Sequence, residues 1–402
     1  MIPGFVPPQT PLLVVLRSAL DHNLATMQSR CDKAGVRLRA HGKTHKCSTL
    51  GRLQVAGGAV GLCAQTVGEA EAFVAGGIRD VLVTAPHAPW GAERLAALAK
   101  SGARIGATVD HESQIERLGA AARAVGVTLD CVIDIDPGTH RTGAHPSRIV
   151  ALAGLAAATE GLYYAGVQAY AGHLQHLDDV AKRRAADDAV TADLAKVVEA
   201  LRAANLAPGV VTGGGTGTHA WDLDSGVFTE IQAGSYAVMD VEYEVCGGPE
   251  GGWPFQQALF VVASVVSANH KSHVTVDAGF KAFSSDGPPA RLAAGAADGS
   301  LWRPMGDEHG MIIHPSGLPA LKSGDFVNAV DALDADPAAP WPADAPALGA
   351  LVWLQPGHCD PTINLYDALH VVSDNGDIER WAIDARRSSR AGVRSRAGET
   401  EA

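Results

Sequence analysis

Several short clusters in this chain of 402 residues hold side chains able to do acid–base, nucleophilic or anion-binding chemistry. His41-Gly42-Lys43-Thr44-His45-Lys46 sets a lysine among two histidines and a second lysine. Desolvation and positive neighbours lower the pKa of such a lysine and favour imine formation with an aldehyde. A solvated surface lysine is the plain alternative for Lys43. Gly213-Gly214-Gly215-Thr216-Gly217 is a candidate phosphate cradle, because amides without side chains can close on an anion and Thr216 adds a hydroxyl. Gly234-Ser235 could complete it, and a tight turn is the competing reading. No G-K-[ST] follows the glycines, and no GxGxxG opens a first βα unit, so nucleotide-binding loops of those kinds are excluded. Pro356-Gly357-His358-Cys359-Asp360-Pro361-Thr362 holds a His-x-Asp pair. If 351–360 is extended, His358 and Asp360 project to one side and Cys359 to the other. One nitrogen and one carboxylate on a shared face can hold a divalent cation with positions left for water and substrate; a hydrogen-bonded pair in a turn is the alternative.

Elements must bring these clusters together. Short apolar, β-branched runs fall at 36–41, 59–63, 80–84, 105–109, 131–136, 165–170, 209–213 and 229–233, with amphipathic helical stretches at 66–76, 91–100, 111–125, 147–158 and 180–204. Alternating strand and helix means parallel pairing through crossovers, and eight strands fit a (β/α)8 barrel. A doubly wound open sheet is the rival. In a barrel the functional loops follow the C-terminal ends of the strands. The Lys43 cluster, Gln65, Asp136–Arg141, Tyr170–His173, Gly213–Gly217 and Gly234–Tyr236 all fall there. A phosphate cradle, an imine-competent lysine and a barrel together point to pyridoxal phosphate (PLP).

After about residue 250 the texture changes. QALFVVASVVSA, HVTVDAG, DFVNAV, ALVWLQPGH and HVVSDNGDIERWAI read as strands separated by glycine and proline. The fold class expected is therefore α/β, an N-terminal barrel over 18–248 with a second, mostly β domain formed by 1–17 and 249–386. Residues 331–347 read as a surface loop and 387–402 as a flexible tail.

Composition narrows the function. A net charge of −12 argues against nucleic acid and anionic membrane surfaces as partners. No window approaches eighteen consecutive apolar residues, and the N-terminus lacks secretory features. Six cysteines without a C-x-x-C pair suit reduced thiols in a cytoplasmic protein.

Taken in order, HGKTHK, GGGTG with TEIQAGSYAVMD, VDAGFKAFSSDGPP, GDEHG and PGHCDPTINLYD resemble the D-threonine aldolase / 3-hydroxy-D-aspartate aldolase family. These are fold-type III PLP enzymes with an alanine-racemase-like barrel, related to D-serine dehydratases. The resemblance runs from about residue 9 to 386. It implies that Lys43 carries PLP as an imine, with Arg141 near the ring and Gln65 and Tyr170 lining it. It implies a phosphate site of Gly214, Gly215, Thr216, Gly234 and Ser235, with Tyr236 adjoining. It implies a metal on His358 and Asp360, and His173 as a base. The dehydratase relatives carry His-x-Cys, suited to zinc, whereas His-x-Asp favours Mn²⁺ or Mg²⁺. A register shift would make Cys359 the ligand instead. The implied reaction is retro-aldol cleavage of a small D-β-hydroxy-α-amino acid to glycine and an aldehyde, in a homodimer. Dehydration to a 2-oxo acid and ammonia is the alternative. An amino-acid racemase, a barrel-only PLP-binding protein and a PLP-free lyase are the competing classes.

Overall fold

Eight short runs rich in apolar residues, with a few polar side chains such as Arg39 and Glu230 paired inside, are buried between neighbours and covering helices. In the computed structural model, which describes residues 5–386, they close on themselves. A first strand, β1 (Leu12–Leu16), precedes them. The barrel strands are β2 (Arg37–His41), β3 (Gly61–Ala64), β4 (Asp80–Val83), β5 (Arg104–Val109), β6 (Leu129–Ile135), β7 (Leu162–Ala169), β8 (Val210–Gly213) and β9 (Glu230–Ile231). All pair in parallel, and β9 returns to β2 through Arg37–Glu230 and Leu38–Ile231. That pairing closes the barrel and removes the open doubly wound sheet. The expected helices form at Val67–Ala75, Gly91–Lys100, Glu112–Val125, Ile149–Ala158 and Val180–Ala203.

The second unit is a nine-stranded sheet. It contains β1, β10 (Leu259–Ser267), β11 (His273–Val276), β12 (Arg291–Ala294), β13 (Leu301–Pro304), β14 (Gly310–Ile313), β15 (Leu351–Gln355), β16 (Ala368–Val372) and β17 (Ile378–Ala382). β1 lies between β10, antiparallel, and β16, parallel. Its sequence LLVVL does not alternate because both faces are covered. Leu13 and Val15 join the main core, while Leu12 and Val14 pack with Phe5, Phe260, Trp353 and Val372.

Two expectations fail here. DFVNAV is not a strand but the start of a helix, Phe326–Ala335, because Asp325 caps it by accepting from Asn328 N at 3.3 Å. The helix takes in the first five residues of the expected 331–347 loop. The expected tail, 387–402, lies outside the described residues. No helix among the described residues is long and apolar enough to cross a membrane.

Candidate active site

The loop after β2 turns tightly. A Cβ on Gly42 would come within 2.5 Å of the Phe73 ring, so only glycine lets the chain pass there. The turn delivers Lys43 to the barrel mouth, where its Nζ pairs with the Asp360 carboxylate. Its ammonium is therefore not the low-pKa amine that positive neighbours would make. Burial works against the charge, but the Asp360 carboxylate outweighs it and raises the pKa. His41, beneath, bonds Thr84 Oγ1 through Nε2 at 3.0 Å, and burial followed by the Lys43 charge keeps it neutral. Thr44 Oγ1 is buried with no hydrogen-bond partner.

Asp360 comes from the second unit. The extended run expected over 351–360 ends at Gln355, and a short helix, Cys359–Ile363, follows His358. Pro356 and Gly357 leave the strand because their carbonyls accept from Val241 N and Glu242 N at 3.1 and 3.0 Å. The Cys359 amide donates to Asp240 Oδ2 at 2.8 Å. His358 and Asp360 still line one cleft with Lys43, placed by a helix start and not by strand alternation. His358 Nδ1 bonds Asp286 Oδ2 at 2.8 Å, which leaves Nε2 as its other donor atom. Against the cost of burial, Asp360, Asp240 and Asp286 raise the His358 pKa. Asp360 is held low despite burial, first by Lys43 and then by His358. Cys359 is fully buried and its thiol donates to Asp360 Oδ1 at 3.4 Å.

The glycine run follows β8 and faces Lys43. Gly215, Thr216, Gly234 and Ser235 line the same cleft. Gly214 turns the chain behind them with φ +66°, and a Cβ there would meet Asp222 Oδ2 at 2.5 Å. A Cβ on Gly234 would reach Thr44 Oγ1 at 2.4 Å. Thr216 Oγ1 accepts from Tyr236 N at 3.0 Å, while the Tyr236 side chain is buried below with its hydroxyl on Gln54. The unpartnered Thr44 hydroxyl and these bare glycines beside one lysine suit a phosphorylated aldehyde such as PLP.

Tyr170 lines the cleft, and the Arg141 guanidinium lies 5.8 Å from its ring centroid. Gln65 does not line it; its Oε1 faces Thr84 Oγ1 at 3.4 Å. Gln232 lines the cleft instead. His173 is exposed and bonds Thr139 Oγ1 at 2.9 Å, outside the cleft. Three residues on, His176 lines it. The His176 ring stands edge-on to Tyr243 at 4.5 Å and 6.1 Å from the His358 ring. Its Nδ1 lies 3.5 Å from the Glu242 carboxylate, and its Nε2 is buried without a partner. Burial, then His358, push its pKa down to about 4. Sequence reasoning passed over His176, Thr44, Gln232 and Tyr243. His176 lay in a loop already singled out, and only its spacing from His173 could have raised it.

His358 and Asp360 are a nitrogen and a carboxylate side by side on one cleft. Among the described residues, no group of three or more His, Cys, Asp or Glu side chains could hold a metal ion. An imidazole whose second nitrogen is held by a carboxylate is the usual state of a ligating histidine, so the pair fits a cation that keeps water or substrate in its other positions.

Residues 15–241 match the family described as alanine racemase, N-terminal domain, and residues 258–372 match the putative serine dehydratase domain. Over 387 residues the chain is 38% identical to 3-hydroxy-D-aspartate aldolase of Paracoccus denitrificans (strain Pd 1222), covering 94% of this chain and 92% of that protein. The chain belongs to the D-threonine aldolase / 3-hydroxy-D-aspartate aldolase family, a family of lyases. D-threonine aldolase of an Arthrobacter species is 36% identical, over 95% of this chain and 93% of that one. The crystal structure of D-threonine aldolase from Filomicrobium marinum superimposes with a TM-score of 0.83 at 34% identity, covering 94% of this chain and 96% of that chain. In this chain Lys43, Gly215, Gly234 and the His358/Asp360 pair converge on one cleft between barrel and β sheet.

Proposed function

We propose that the chain catalyses PLP-dependent, divalent-metal-assisted retro-aldol cleavage of D-β-hydroxy-α-amino acids, D-threonine or 3-hydroxy-D-aspartate, to glycine and an aldehyde. One observation carries this reading: the Lys43 amine and the His358/Asp360 pair share one cleft, with the Asp360 carboxylate touching Lys43. When bound, PLP supplies an electron sink on the substrate nitrogen, and Mn²⁺ or Mg²⁺ supplies a Lewis acid at the β-hydroxyl.

The chain's own groups do the rest. Lys43 Nζ would be the amine for the cofactor aldehyde, and Gly215, Thr216, Gly234 and Ser235 would hold its phosphate. Tyr170, with the Arg141 guanidinium against its ring, would lie beside the cofactor ring. His358 and Asp360 would hold the cation. His176, and not His173, is the base within reach: its free Nε2 takes the β-hydroxyl proton as the Cα–Cβ bond breaks and the new carbonyl forms. A proton given by Lys43 Nζ to the α-carbon completes glycine, and the proton held on His176 Nε2 passes back through the cleft to restore Lys43.

Dehydration is the second reading, because D-threo-3-hydroxyaspartate dehydratase of a Delftia species is 30% identical over 92% of this chain. The Cys359 thiol argues against it as a metal ligand, since it is buried and donates to Asp360. A homodimer in the cytoplasm belongs to the same proposal. Val245, Phe280 and Leu301, all exposed, rim a cavity of about 620 Å³ that a second subunit would cover.

Incubation with PLP and Mn²⁺ and either D-threonine or 3-hydroxy-D-aspartate, followed by NMR, tests the reading. Glycine plus aldehyde is expected. Ammonia plus a 2-oxo acid would replace cleavage by dehydration.

A further inference from the structure

Beneath the glycine run lies a side chain that an anion site would not be expected to favour. Asp222, on the short helix His219–Asp224, is 2% exposed. Its Oδ2 accepts from Thr218 Oγ1 at 2.6 Å and from Gly215 N at 3.3 Å. On the opposite flank Gln175 is equally buried. Its Oε1 accepts from Gly217 N at 2.8 Å, and its Nε2 donates to Thr218 Oγ1 at 3.1 Å. The fit leaves no spare room: a Cβ on Gly215 would fall 2.3 Å from Gln175 Oε1, and one on Gly217 would fall 2.1 Å from the Gln175 carbonyl. Neither Asp222 nor Gln175 lines the cleft. The amides of residues 215 and 217 are thus drawn inward. Between them, the Thr216 amide donates to no protein acceptor among the described residues, and Thr216 lines the cleft.

We infer that Asp222 is a positioning residue for phosphate recognition: together with Gln175 it holds two amides of the glycine run inward so that the intervening Thr216 amide is presented to the cofactor phosphate. The inference rests on the reading of the cleft as a PLP site. The role of Asp222 is that of an acceptor in a dry setting, where an unmade bond to a buried donor is costly. A second buried carboxylate, Asp187, faces it. Burial pushes Asp222 up, and burial followed by the Asp222 charge pushes Asp187 up, so the pair does not carry two full negative charges beneath the cradle.

The test uses the full-length apo-protein titrated with PLP and with pyridoxal, which keeps the aldehyde and lacks the phosphate. Asp222→Ala should weaken PLP by roughly tenfold or more and leave pyridoxal within about twofold. Asp222→Asn, which keeps an acceptor oxygen in place, should restore PLP to within about threefold of wild type. Thr218→Val removes the hydroxyl shared by Asp222 and Gln175 with little change of volume, and should show the same phosphate selectivity at about threefold. It decides the matter if Asp222→Ala does not fold. Equal loss of PLP and pyridoxal, no loss of either, or failure of Asp222→Asn to rescue would overturn the inference. Wild-type protein that binds neither ligand would instead overturn the PLP reading itself.

Discussion

Lys43 and Asp360 touch across the cleft, yet the stretches that deliver them are held differently. Lys43 follows β2, which is fenced by β3 on one side and β9 on the other, so barrel closure sets its place. Asp360 follows β15 by five residues, and no strand reaches it. Its place is set by three hydrogen bonds from the barrel's last segment: Val241 N to Pro356 O, Glu242 N to Gly357 O, and Asp240 Oδ2 with the Cys359 amide. One side of the site is determined by a whole sheet and the other by a few buried bonds. The second side should therefore be the easier to loosen without unfolding the protein.

The largest effect tests the barrel side. Lys43→Ala should abolish both turnover and the borohydride-fixed cofactor adduct, followed by peptide mass mapping. An adduct retained at Lys46 would move the attachment point. Next comes the choice between two histidines of one loop. His176→Ala should lower kcat on the order of 10²–10⁴-fold, whereas His173→Ala should stay within about fivefold of wild type. The reverse order of effects would return the base to His173. The β-sheet side is tested by its metal. EDTA should stop turnover while PLP remains bound. Asp240→Ala, which releases the Cys359 amide and the Tyr243 cap, should weaken Mn²⁺ by about 10–100-fold in calorimetry with PLP affinity unchanged. A parallel loss of PLP would show that the two sides are not separately held.

The smallest effect is on stability. Burial pushes His45 and His219 down to about 4. The unfolded chain takes up these protons near pH 6.5 and the folded chain only near 4, so stability present above about 6.5 is lost as pH falls toward 4. Each ring is expected to contribute on the order of 1–3 kcal/mol, and His219→Gln should flatten the fall of Tm measured between pH 7 and 4.5.

The same contrast explains what could be read from the residues alone. The barrel strands are short apolar runs with a regular helical interval, so their period announces them, and the chemistry-bearing loops follow from their ends. The helix Arg17–Ala34 escaped notice because its buried stripe is broken by Asn23, which is spent on the carbonyls of Ala237 and Gln256. His358 and Asp360 stood out as residue types, but the bend that aims them depends on Asp240, more than a hundred positions earlier. His173 stood out in the sequence and His176 did not, since the packing of His176 against Tyr243 is a tertiary fact with no local signature.

β1 has a consequence for how the chain is made. This LLVVL segment leaves the ribosome early, while the strands that flank it end at Ser267 and Val372. At ~5–20 residues per second the wait for the last partner is roughly 20–70 s. Until Ser267 emerges the nascent chain carries a bare, fully apolar strand ahead of a barrel that can already close, and until Val372 emerges one edge of that strand stays open. That strand is the segment a holdase chaperone would be expected to cover, and the place where truncated or stalled products would associate with one another.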